Sequence, residues 1–359
     1  MPPAKQTDIL CQALTGPTLC LDIGSGTQDV FLALPDKEPE NWPRFVLPAP
    51  ARAVAKQIAD LTAAKRAIWL HGTNMGGGFF RALQAHMAAG LAVAAHPDAT
   101  AAIHDAVEKV LELGVTVCEK CPAGYAPVML ADYEAGFWRG FLSMAGLPLP
   151  TAVLAAAQDH GVHPELGNRI GRFQLFKDFV ARGGNLATLL YDNPPATYTR
   201  LAALQKSIGG GLVADTGVAA VLGALSMPEV AKRSHREGVM VVNVGNSHVI
   251  AFLIYKERVM GVYEHHTGMH DTASLAHDLQ EFRMAWLPDE EVRSKGGHGC
   301  VFAPDMPAEA EGYRPTFILG PRRAMLQGHG SFIAPHGDMM LAGCYGLLYA
   351  FALQSGTIE

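Results

Sequence analysis

Thr18-Leu-Cys-Leu-Asp-Ile-Gly-Ser-Gly-Thr-Gln-Asp-Val30 is the segment around which the chain is organised. Leu19, Leu21 and Ile23 alternate with Cys20 and Asp22, the two-residue period of a strand. Gly24 and Gly26 allow a sharp turn and a close approach to a ligand with no Cβ in the way. Ser25 and Thr27 add hydroxyls beside the amides of the turn, and Val30 to Leu34 runs on as a second apolar strand. Such a turn presents several N–H groups to an anion, and phosphate is the natural guest. Asp22, just ahead of the turn, is placed to hold a hydrated Mg²⁺. A dinucleotide fingerprint needs glycines that open a helix, and a P-loop needs Gly-Lys-Ser/Thr. Neither follows here, but an ordinary hairpin fits the same residues.

A second copy changes the balance. Met240-Val-Val-Asn-Val-Gly-Asn-Ser-His-Val-Ile-Ala-Phe-Leu-Ile254 repeats the grammar, with Asn243 in the place of Asp22 and a turn of Gly245, Asn246 and Ser247. The pair resembles the phosphate-1 and phosphate-2 loops of the actin-like ATPase superfamily, which includes sugar and acetate kinases, heat-shock chaperones and actin. The resemblance implies a two-domain α/β fold of the actin-like, ribonuclease H-like kind, with an interdomain cleft that holds ATP and Mg. It assigns the nucleotide to Gly24, Ser25, Gly26, Thr27, Asn243, Gly245, Asn246 and Ser247. Gly320, in Thr316-Phe-Ile-Leu-Gly-Pro-Arg-Arg323, stands where the superfamily has its adenosine loop, although the usual second glycine is Pro321. The superfamily's second phosphate loop usually carries an aspartate, so Asn243 weakens metal binding or water activation from that side. Small-residue segments at Asp215–Leu225 and within Pro335–Leu348 resemble the two interdomain connecting helices. Within the superfamily, Gln158-Asp-His-Gly161, Glu264-His-His-Thr267, Gly296-Gly-His-Gly299 and Gly320-Pro-Arg-Arg323 resemble a bacterial and archaeal family labelled pyruvate formate-lyase activating enzyme. Enzymes of that activity hold an iron–sulfur cluster on CxxxCxxC, whereas this chain has only Cys118 and Cys121 in such proximity.

At 359 residues two domains are expected. The expected division is a lead-in over 1–18, a first domain over 19–206 with a loop-rich insertion near 162–200, a second domain over 207–345, and a helix end and tail over 346–359. A net charge of −6 argues against a nucleic-acid partner. No run approaches the roughly 20 apolar residues of a membrane span, and no export signal opens the chain, so a cytoplasmic protein is expected. Six cysteines do not make a disulfide framework, and a lone CxxC lacks the second pair of a zinc site. Between the hairpins, strands alternate with helices, including helices over 51–64, 79–89, 99–113 and 133–145, as in an α/β domain with a largely parallel sheet. Ligands gather at the carboxyl ends of such strands.

The chemistry expected is phosphoryl transfer or ATP hydrolysis on a small-molecule substrate. A base for the acceptor is sought first in Asp159 and then in Asp132, both at strand ends, with helix capping as the competing role. For Asp132, directly ahead of a helix, capping is the favoured role. Arg169 and Arg172 lie three apart and share a face if helical, which suits an anionic substrate, although a solvated face is the commoner explanation. His160, His265 and His266 are further substrate candidates. His265, His266 and His270, with Asp271 alongside, make an alternative metal site for a metal-dependent enzyme. A non-catalytic nucleotide sensor is the third possibility.

Overall fold

The computed structural model describes residues 10–163 and 165–356. The start of the expected lead-in, Pro164 and the last three residues of the tail lie outside them. Three antiparallel strands begin the first half: β1 (Thr18–Ile23), β2 (Thr27–Ala33) and β3 (Arg44–Pro48). Leu19, Leu21 and Ile23 are buried, and so are Cys20 and, nearly, Asp22. Both faces of this strand are therefore covered, and each large apolar side chain contributes about 1.5–3 kcal/mol of burial. The chain then leaves to build a separate parallel sheet from β4 (Ile68–Gly72), β5 (Val93–Ala95), β6 (Thr116–Val117) and β7 (Ala126–Leu130), in the order β6-β5-β4-β7. This sheet has its own apolar core, with Ile58, Leu70, Phe79, Leu83, Val110 and Val128 among its members.

The expected helix over 99–113 is broken. A short 3-10 segment, Pro97–Ala102, starts where the His96 ring accepts the Asp98 amide, and a true helix begins only at Val107. Between them the His104 ring accepts the Ala106 amide, so side chains take over donors that a continuous helix would have used.

The chain returns with β8 (Ala152–Ala157), parallel to β1. Residues 162–200, expected to be a loop-rich excursion, instead hold the helix Asn168–Ala181 and β9 (Leu190–Tyr191). The helix buries Phe173, Phe176, Phe179 and Val180, an apolar stripe at helical spacing. β9 pairs with β10 (Val213–Ala214) to close the first sheet in the order β3-β2-β1-β8-β10-β9.

The second half repeats the plan. β11 (Val239–Val244), β12 (His248–Tyr255) and β13 (Arg258–His266) form a meander extended by β14 (Gly299–Phe302). β15 (Thr316–Leu319) lies parallel to β11 as β8 does to β1, and β16 (Ser331–Phe332) forms the far edge. A meander followed by parallel strands on the far side of its first strand, made twice in one chain, is the actin-like ATPase fold.

Two helices pack together between these sheets, Thr216–Leu225 and Ala342–Gln354. The first is apolar all round, which suits a helix buried on every side. A Cβ on Gly346 would lie 1.9 Å from the Ala219 carbonyl oxygen, so the backbones touch where only glycine fits. Asp215 caps the first helix by accepting the Gly217 amide at 3.0 Å. Among the described residues no helix is long and apolar enough to cross a membrane.

Candidate functional site

The two hairpin turns face one cleft of about 550 Å³. Gly24, Ser25, Gly26, Thr27, Asn243, Gly245, Asn246, Ser247 and Gly320 all line it. The turns are closed by the same bond: the Gly24 amide donates to the Thr27 carbonyl at 2.9 Å, and the Gly245 amide to the His248 carbonyl at 2.9 Å. Their tips meet, with Ser25 Oγ 2.6 Å from Ser247 Oγ. The Gly320 turn fits beside the second hairpin only because it lacks a side chain, since a Cβ there would lie 2.4 Å from Asn243 Oδ1.

Asp22, one residue before the end of β1, lines the cleft and accepts a 2.5 Å hydrogen bond from the Thr216 hydroxyl at the start of the first connecting helix. Gly343 of the second connecting helix makes room for it, because a Cβ at that position would sit 2.0 Å from Asp22 Oδ2. Directly across the hairpin stands Asp29, a residue that sequence reasoning missed. The signal was present: a strand–turn–strand closed by Gly24 and Thr27 pairs position 22 with position 29. Asp29 Oδ1 is buried with no hydrogen-bond partner. Burial raises both acids, and their mutual repulsion raises Asp29 further, so Asp22 is pushed up to about 7 and Asp29 to about 8. Two buried carboxylates with an idle oxygen fit a hard, oxygen-seeking cation such as Mg²⁺.

The other expected acids have different work. Asp159 borders the cleft, but its oxygens accept the Gly161 and Leu201 amides at 2.8 and 2.9 Å. It holds its own loop and the first turn of the helix Thr199–Ser207. Burial raises its pKa against those two amide bonds. Asp132 does not cap the helix that follows it. Its carboxylate is gripped by Arg200, with bonds of 2.7 and 2.9 Å.

The two arginines also part company. Arg169 is exposed and donates to the Gly296 carbonyl at 2.9 Å. Arg172 is buried, bonded to both Asp215 oxygens at 2.8 and 3.1 Å, to Glu264 at 2.7 Å and to the Asp159 carbonyl at 2.7 Å. The expectation that both serve an anionic substrate is corrected: the Arg172 charge is already matched by two carboxylates, so the residue ties segments of the two halves together. Glu264 also accepts from Gln158 Nε2 at 2.5 Å. Burial works against its ionisation, but the Arg172 guanidinium holds its pKa below the usual range.

The histidine set is regrouped. Successive residues of a strand point to opposite faces, so His265 and His266 diverge at the end of β13. His265 turns to His270, with ring centroids 4.2 Å apart, while His270 contacts the Tyr263 hydroxyl at 3.1 Å. His266 turns the other way, toward His248 and His298. The set His265, His266 and His270 is therefore not a ligand set. Among the described residues, the group of three whose ligand atoms lie close enough to share one ion is His248, His266 and His298. His160 stands at the cleft, its ring 5.5 Å from that of His298.

The sequence profile of one family, described as "Putative pyruvate format-lyase activating enzyme (DUF1786)", matches residues 75–325. The chain belongs to this family. The cysteines give no support to the chemistry in the family's description: among the described residues no three thiols converge, with Cys121 exposed and Cys20, Cys300 and Cys344 buried apart from it. No curated protein matches the chain. Three solved structures are similar to most of it. They are the ethanolamine utilization protein EutJ from Carboxydothermus hydrogenoformans (10% identity, 95% of this chain and 94% of that one, TM-score 0.28), a ROK family glucokinase from Streptomyces griseus in complex with glucose and AMPPNP (11%, 94% and 99%, 0.32), and a "putative sugar kinase" from Cytophaga hutchinsonii (11%, 95% and 100%, 0.31). At such scores they add nothing to the assignment of the fold, which stands on the duplicated strand order.

Proposed function

We propose that this chain binds Mg-ATP between its two hairpins and transfers the terminal phosphoryl group to a small molecule or to water. The observation that carries this reading is the meeting of both glycine turns across one cleft. Phosphoryl transfer needs positioning and charge neutralisation more than covalent help. On this reading the phosphate donors are the amides left over by turn closure, those of Ser25 and Gly26 in the first turn and of Asn246 and Ser247 in the second, all residues that line the cleft. Asp22 and Asp29 are the residues that would hold hydrated Mg²⁺, which supplies neutralising charge to a bound polyphosphate. Thr216 fixes the Asp22 carboxylate in place. The acceptor's base is left unassigned, because each oxygen of Asp159 already serves an amide.

Thermal denaturation with Mg-ATP tests the reading. Saturation at a hundred times Kd is expected to add about 2.7 kcal/mol of stability. Asp22→Asn is expected to remove the Mg²⁺-dependent part of that gain. An unshifted melting temperature in the wild type overturns the proposal. Given a shift, phosphate release or a phosphorylated acceptor separates an enzyme from a nucleotide sensor.

A further inference from the structure

We propose that His248, His266 and His298 bind one divalent transition-metal ion beside the cleft. One ring nitrogen from each lies within 4.8 Å of those of the other two. The ring centroids are 4.7 Å apart for His248 and His266, and 4.9 Å for each of these with His298. Three separate segments deliver them. His248 opens β12 at the foot of the second turn, and His266 ends β13 in direct register with it. His298 arrives on the Gly296–Gly299 loop, anchored where its amide donates to the Glu264 carbonyl at 3.0 Å. A Cβ on Gly297 would lie 2.3 Å from the His265 ring, so the loop passes only as glycine and delivers His298 to the other two rings.

The second observation is an unmet demand. His298 is 2% exposed, and both of its ring nitrogens are buried with no hydrogen-bond partner. A buried imidazole normally spends at least one nitrogen on a partner, and a metal ion would take one here. A neutral imidazole keeps a ring-nitrogen lone pair that can ligate a metal ion. The adjacent cluster of Arg172, Asp215 and Glu264 carries two carboxylates against one guanidinium. Arg169, which bonds the Gly296 carbonyl, adds a positive charge near His266, so it is the ring geometry and the unpartnered His298 nitrogens that mark the site. Neutral imidazoles select Zn²⁺, Ni²⁺, Fe²⁺ or Cu²⁺ over Mg²⁺, so this site is chemically distinct from the Asp22–Asp29 pair.

Three protein ligands leave a coordination position free, the pattern of a catalytic rather than a structural zinc site. His248 borders the cleft, as does His160 of the first half, so the site adjoins the space a substrate would occupy. The metal site stands independently of the nucleotide reading.

The test uses the full chain, stripped with chelator and titrated with Co²⁺ alone. One ion per chain is expected, with the visible d–d absorption of cobalt on nitrogen ligands. His266→Asn and His298→Asn are expected to weaken binding at least about tenfold, whereas His265→Asn and His270→Asn retain it. Circular dichroism confirms that each variant folds, and the wild-type titration stands even if one does not. Absence of a cobalt spectrum in the wild type overturns the site, as does loss of binding in the His265 and His270 variants with retention in the other two. Mg-ATP stabilisation measured on the stripped protein is expected to persist, so failure of one proposal is separable from failure of the other.

Discussion

The β1–β2 hairpin and the β11–β12 hairpin share a backbone and differ in what they carry. In each, a glycine amide closes the turn onto the carbonyl three residues later. In each, the residue just before the turn faces a partner seven positions on, Asp22 opposite Asp29 and Asn243 opposite Ile250. The first pair is two acids, and the second is an amide against an aliphatic chain. At the end of the turn, Thr27 in the first hairpin corresponds to His248 in the second. On the readings proposed above, duplicated geometry would serve divided chemistry: oxygen ligands for a hard cation on one side, imidazole nitrogens on the other, and backbone amides on both.

The strongest way to break the partnership of the halves is to cut the tie between them. Arg172→Ala leaves Asp215 and Glu264 as buried charges without their partner and is expected to cost about 3–5 kcal/mol of stability, read by urea denaturation. Next comes Gly343→Ala, which forces a methyl group against Asp22. It is expected to destabilise by about 1–3 kcal/mol and to lower Mg-ATP affinity, while an equivalent alanine at exposed Gly140, where nothing lies within 4 Å, spares the affinity.

A pH series sharpens the contrast between the acidic and the amide hairpin. The Asp22 and Asp29 pKa values are raised in the fold from 3.8 to about 7 and about 8. Their contribution to stability is full below the unfolded value and is lost as pH rises from about 4 through about 8. Mg²⁺ held by the pair, as proposed, would relieve the repulsion of its ionised form, so its stabilising effect is expected to be larger near pH 8 than near pH 5. Asp29→Asn should flatten that difference. The smallest expected effect is that of Asn243→Asp, which gives the second hairpin a carboxylate without an acidic partner opposite. Titration calorimetry should show a smaller change in Mg-ATP affinity than Asp22→Asn produces.

What could be read in the chain without coordinates was local. The hairpins announce themselves through alternation and glycine spacing, and the connecting helices through runs of Ala and Gly. Non-local relations were hidden. Nothing near Arg172 in sequence shows that Asp215 and Glu264 flank it. The strands β4–β7 were visible singly, but no local pattern says that they form a sheet of their own. The helix Asn168–Ala181 was obscured by Gly167, Gly171 and its charged residues, although Phe173, Phe176 and Val180 already had helical spacing. The histidines were grouped by closeness in sequence, whereas strand alternation separates His265 from His266, and cross-strand pairing brings in His248.

A disulfide across the hairpin tips tests the central claim most directly. Ser25 and Ser247 touch, so in the double variant S25C/S247C the two thiols are close enough to bond under mild oxidation. The account predicts rapid intramolecular crosslinking in the free protein and marked slowing by Mg-ATP, whose phosphates would occupy the gap between the turns. No crosslink, or a crosslinking rate indifferent to saturating Mg-ATP, would contradict it.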